Sequence, residues 1–156
     1  TTEIYTLSLH DALPIFYGKE EMEKKWKVLE TMPEAERLEK IQEIGQRLVL
    51  EFSLSAVVIT GVNYRENSQT PKMGNLVLEK EKVSWVFAEK SGGSYSGTGD
   101  LFASVLSAGL VKGYSMETCA HMAVEFISTS IRDAVSEGTD RNDGVCFEAH
   151  LGMLLS

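Results

Sequence analysis

Ser55-Ala56-Val57-Val58-Ile59-Thr60-Gly61 is a short apolar, β-branched run closed by a glycine. It shows no polar alternation, so the strand it predicts is buried on both faces, as in a parallel sheet covered by helices. Just upstream, Leu38, Ile41, Ile44 and Leu48 recur at helical spacing among Glu, Lys, Gln and Arg residues. That pattern predicts an amphipathic helix to about Glu51, one stripe on a sheet and a charged face in water. Thr31-Met32-Pro33-Glu34 matches a capping box for its start, with Pro33 tolerated in the first turn. Helix, buried strand and Thr-Gly make an α/β unit whose loop lies at the strand's carboxyl end. Open α/β sheets place ligands there. Thr60 and Gly61 are therefore either ligand contacts or a plain strand terminus.

Working outward, residues 20–29 are charged with Met22, Trp26 and Leu29 between, which predicts a short surface helix. Residues 63–73 are polar and read as a loop. Residues 75–79 and 83–88 are strands joined by Lys80-Glu81-Lys82, a hairpin at the sheet edge. Residues 89–95, with Gly92 and Gly93, form a flexible approach to a second glycine-rich stretch.

That stretch is Ser96-Gly97-Thr98-Gly99-Asp100, running into Leu101, Phe102, Val105, Leu106, Leu110 and Val111. Glycines allow successive N–H groups to converge on one point, and a helix start adds unpaired amides and a positive dipole end. Such a turn can hold an anion, most often phosphate. The same field favours a charged carboxylate at Asp100, able to accept a proton from an alcohol. Alternatively the four residues are only a tight turn, with Asp100 as helix N-cap. The helix beyond Asp100 is apolar nearly all round and is expected to be buried, fixing its start rigidly under the loop. Gly113 is its natural C-cap, and Ser115 caps a second helix that ends at Gly138. Met116, Cys119, Ala120, Ala123, Phe126, Ile127, Ile131, Ala134 and Val135 form that helix's broad core stripe. Arg141, Asn142 and Asp143 read as an exposed turn, and residues 147–155 as a last short helix.

A chain of 156 residues fits one domain with a real core, and its 43% hydrophobic and 24% charged composition is that of a globular protein. The net charge of -8 argues against nucleic-acid or anionic-membrane partners. It does not exclude ATP, because a local nest of amides binds phosphate inside an acidic protein. No apolar run approaches the ~20 residues of a membrane helix. Cys119 and Cys146 form no Cys-x-x-Cys motif, and two reduced thiols fit a cytoplasmic protein. His10, His121 and His150 lack metal-ligand spacing, so no metal-ligating residues are expected.

Residues 1–15 stand apart. They show no clean period and no basic signal-peptide region, and they resemble a peptide met where sequencing-adapter DNA has been translated. They are expected to be a non-native or disordered leader, with the natural chain continuing upstream, and residues 16–156 the functional part.

Gly97-Thr98-Gly99-Asp100 with the helix to Gly113 resembles the C-terminal signature of the ribokinase superfamily, and within it the pyridoxal (pyridoxamine) kinases. Gly138-Thr139-Asp140-Arg141-Asn142-Asp143-Gly144-Val145-Cys146-Phe147-Glu148 resembles the C-terminal end of bacterial members. The resemblance covers about residues 16–156 and is strongest from Ser96 onward. It implies the C-terminal, nucleotide-binding part of a three-layer α/β fold, a sheet flanked by helices with a β-hairpin at its edge. It implies ATP and Mg²⁺ as cofactors, with Gly97, Thr98 and Gly99 as the anion hole and Asp100 as catalytic base and substrate contact. Thr60 and Gly61 would face the nucleotide phosphates. Val86, Phe87 and Ala88 would line the adenine pocket, unless they only pack the hairpin. The substrate implied is the 5′-hydroxymethyl group of pyridoxal or a related vitamer, and the full-length family is homodimeric. The family's upstream acidic and Asn/Glu motifs and ring-enclosing N-terminal strands have no counterpart here, so the chain is expected to be a C-terminal half and a poor catalyst. A hydroxymethylpyrimidine or sugar kinase of the same superfamily, a non-catalytic nucleotide-binding module and a purely structural domain remain as alternatives.

Overall fold

Along the apolar run that predicts the central strand, side chains alternate: Val57 and Ile59 face one way, and Ala56 and Val58 the other. In the computed structural model, which describes residues 3–65, 70–90 and 92–155, all four are buried. The elements are β1 (Ile4–Ser8), α1 (Leu9–Tyr17), α2 (Lys19–Thr31), α3 (Glu34–Glu51), β2 (Ala56–Tyr64), β3 (Lys72–Glu79), β4 (Lys82–Glu89), α4 (Thr98–Val111) and α5 (Met116–Glu137). Short 3-10 stretches come after them at Arg141–Asp143 and Glu148–Leu154. The four strands form one sheet in the order β1-β2-β3-β4. The chain divides into two compact units, Thr1–Trp85 and Val86–Ser156.

In the first unit, Val57 and Ile59 of β2 and Leu76 and Leu78 of β3 pack with Ile41, Ile44 and Leu48 of α3. These are the residues whose helical spacing predicts α3. Each such Leu or Ile contributes about 1.5–3 kcal/mol relative to leaving it in water. The sheet is mixed rather than parallel throughout: β2 runs parallel to β1 and antiparallel to β3. Both faces of β2 are nonetheless buried, which is the property its sequence reports.

Three expectations meet the structure here. Residues 4–17, most of them expected to belong to a leader, form β1 and α1, with Leu9, Ala12 and Leu13 in the core beside Val57 and Ile59. Their period is that of a helix (i, i+3, i+4) starting at Leu9, and Ser8 caps it by accepting from the Asp11 amide at 3.0 Å. Second, Thr31 is no N-cap. It ends α2, its hydroxyl donating to the Lys27 and Val28 carbonyls, and Pro33 precedes α3 without a side-chain cap. Third, β2 does not stop at Gly61 but continues to Tyr64, and β3 begins at Lys72. The expected loop at residues 63–73 is shortened from both ends, and its residues 66–69 lie outside the described residues, as does residue 91 of the approach to the glycine turn.

In the second unit, α4 and α5 pack on each other. Phe102, Val105, Leu106 and Gly109 give α4 one buried stripe, while Val111 is 88% exposed. The expectation of a helix buried all round is thus corrected: Ala, Ser and Gly on its other positions leave that face short rather than covered. Ser115 caps α5 as its sequence predicts, accepting from the Thr118 amide, and Gly138 ends it at φ +69°. Val135, expected in the apolar stripe, is exposed.

Candidate active site

The glycine turn and the first residues of α4 are set by backbone geometry. Gly97 is the N-cap residue at φ +82°, ψ −3°, a left-handed conformation open to glycine and costly for other residues. The first bond inside the helix runs from the Leu101 amide to the Gly97 carbonyl at 3.0 Å. The four amides before it, on Gly97, Thr98, Gly99 and Asp100, find no acceptor among the described residues. The Thr98 hydroxyl donates back to the Tyr95 carbonyl at 3.1 Å, fixing the turn from inside. Asp100 is therefore the third helical residue and not the N-cap of the tight-turn alternative. It is exposed, and its carboxylate has no hydrogen bond or ion pair among the described residues.

Gly99 is the informative glycine. Its φ is not positive, so no strain demands a glycine there. A Cβ built on it meets nothing within 4 Å, so packing does not demand one either. What glycine leaves is bare backbone beside open space, in the first turn of a helix whose start carries a positive partial charge.

The other predicted contacts sit on strands. Thr60 and Gly61 lie inside β2 at a bulge and not at its end. Ile59 pairs with Leu76 and Val62 with Gly74, so these two residues together oppose Asn75 alone. Gly61 takes φ +76° to make that extra step, which returns Val62 to the core face. On the other edge Thr60 pairs with Ser8, the last residue of β1, and its hydroxyl reaches the Leu7 carbonyl at 3.5 Å. Along β4, Val86 is buried, Ala88 half-buried and Phe87 37% exposed, the alternation of a strand.

A support that the sequence does not announce lies at residues 140–145, where its residue types suggest only an exposed turn. Asp140 accepts from the Asn142 amide at 2.8 Å and closes a 3-10 turn. The Arg141 carbonyl accepts from the Ser96 amide at 3.0 Å. Tyr95, 7% exposed, packs with Ala134 and Val145. The signal available in the sequence is Asp-x-Asn-x-Gly, an Asx-type turn.

The cysteines play no part in the turn. Cys119 is fully buried, and burial pushes its thiol up, which leaves it inert; Cys146 is exposed. Among the described residues no group of three or more His, Cys, Asp and Glu could hold a metal ion. No helix among them is long and apolar enough to cross a membrane.

This architecture is that of the ribokinase-like kinases. The chain is similar over 97% of its length to a protein assigned as a phosphomethylpyrimidine kinase from Bacteroides thetaiotaomicron, covering 47% of that protein at TM-score 0.75 and 24% identity. A second crystal form of that protein contains pyridoxal. It is similar over 64% of its length to pyridoxal kinase from Lactobacillus plantarum, with 35% of that chain covered, TM-score 0.55 and 26% identity. Pyridoxal kinase from Staphylococcus aureus, solved with AMP-PCP and pyridoxal, matches 83% of this chain and 42% of its own at TM-score 0.61 and 18% identity. This chain thus spans less than half the length of each. Among curated proteins, none matches it. The family model described as phosphomethylpyrimidine kinase matches residues 23–144, and the chain belongs to that family.

Proposed function

We propose that this chain supplies the nucleotide-binding part of an ATP-dependent kinase that phosphorylates the hydroxymethyl group of pyridoxal or a related vitamer. The observation that carries the proposal is that the four amides at residues 97–100 find no acceptor among the described residues, with open space beside Gly99. ATP fits it: the transferred phosphate accepts from these amides in the positive field of α4. Asp100, exposed beside them, accepts the hydroxyl proton as the oxygen attacks phosphorus in line and ADP departs. Positioning and charge neutralisation supply most of such a rate. Mg²⁺ enters with the nucleotide and neutralises phosphate charge when bound. Thr60, Gly61, Val86, Phe87 and Ala88 remain candidate nucleotide contacts on the family resemblance. The same reading keeps a cytoplasmic enzyme, homodimeric at full length.

Calorimetry of ATP–Mg²⁺ and of pyridoxal against this chain tests the proposal. ATP binding without pyridoxal binding supports a nucleotide-binding part, and binding of neither removes it. A hydroxymethylpyrimidine substrate is the second reading, favoured by the description of the matching family. Turnover of the two alcohols by a full-length relative carrying this segment decides between them.

A further inference from the structure

The Ser96 peptide, immediately before the glycine turn, is held on both sides by backbone. Its N–H donates to the Arg141 carbonyl at 3.0 Å. Its own carbonyl oxygen lies against Gly144, where an added Cβ would stand 3.3 Å away. Gly144 also has φ +80°, so a side chain there is strained by conformation as well as by contact. The neighbouring residues are pinned too: Tyr95 sits in a small core with Ala134 and Val145, and its carbonyl accepts from Thr98. The Arg141 guanidinium lies over Gly93, at a spot where any Cβ would collide with it. Each of these contacts ends at residue 93, 95 or 96, and none reaches the acceptorless amides themselves.

We propose that the turn at residues 140–144 is the positioning element of the amide cradle, and that Gly144 is the positioning residue that sets where the Ser96 peptide lies. The inference rests on the nucleotide reading for its functional consequence but not for its geometry. An L-residue at 144 pushes the Ser96 carbonyl, rotates the Ser96–Gly97 peptide and shifts the amides of residues 97–100 that follow it. Misplacement of this kind costs catalysis and binding far from the substituted atom.

The test uses the 156-residue chain and its Gly144→Ala variant, with Met116→Ala as a second variant that destabilises the same unit from the first residue of α5, where Met116 is buried. In Gly144→Ala the Ser96 amide is expected to exchange with solvent at least about tenfold faster, while amides in the middle of α5 keep their protection. Met116→Ala is expected to leave the Ser96-to-α5 protection ratio unchanged. ATP affinity should fall by about tenfold or more in Gly144→Ala and hold in Met116→Ala at temperatures where both are folded. Unchanged Ser96 protection in Gly144→Ala, or equal loss of affinity in both variants, overturns the inference. Failure of the parent chain to bind ATP sinks the nucleotide reading instead, and the exchange data still decide this one.

Discussion

A Cβ built on Gly109 of α4 would stand 2.6 Å from the Sγ of Cys119 on α5, so these helices meet through a glycine and a buried thiol. Replacing Gly109 by Ala gains about 1 kcal/mol of helix propensity but overpacks a closed contact at about 1–3 kcal/mol. Loss wins, because a fully buried Cys119 has nowhere to turn. Gly109→Ala is expected to lower stability in urea denaturation. Adding Cys119→Ala removes the Sγ and leaves only a Cβ contact at 3.4 Å, so the double variant should be more stable than the sum of the singles predicts. Strict additivity would show that the two residues do not meet.

At Gly99 stability and binding should separate. Open space and an ordinary φ mean that Gly99→Ala keeps or raises the melting temperature. The same methyl adds bulk beside the amides of the first turn, and on the nucleotide reading ATP affinity is expected to fall by about tenfold or more. A variant that binds ATP like the parent would leave that space without a ligand.

Asp100→Asn keeps the shape of the turn and removes the carboxylate proposed as the base. In a full-length relative carrying this segment, turnover is expected to drop by about 10²–10⁴-fold, the usual worth of a general base. Nucleotide affinity should persist, read by calorimetry. Full turnover in Asp100→Asn would take the carboxylate out of the chemistry.

Leu13 is fully buried among Ile41, Ile44 and Ile59 in the first unit's core. Leu13→Ala is expected to destabilise that unit by about 2–5 kcal/mol, measured by denaturant titration of the chain. An unchanged midpoint would place residues 1–15 outside the fold, as a leader.

How much of this was legible in the sequence depends on whether the signal is local. Helix α3, the core of β2, the β3–β4 hairpin and both caps of α5 emerge from spacing and terminal residues, because burial of one face imposes a period. Gly97 and Asp100 were legible for the same local reason, as a glycine turn entering an apolar helix. The bulge at Gly61 was not: a glycine after an apolar run looks the same whether the strand stops or takes one extra residue, and only the pairing with Leu76 and Gly74 decides. Thr31 misled because a hydroxyl can cap the next helix or bond back into its own. The brace at residues 140–145 was hidden because Asp-x-Asn-x-Gly signals only the turn itself, whereas its hold on Ser96 runs through the Arg141 carbonyl and the bare Cα of Gly144.

That brace has a consequence for the order in which the molecule is made. Ser96 leaves the ribosome 45 residues before the carbonyl of Arg141 that receives its N–H. During synthesis α4 and most of α5 can wind while the glycine turn still lacks its anchor. The glycine turn is thus a late product of maturation, completed only once residues 140–144 have folded back onto a segment translated long before them.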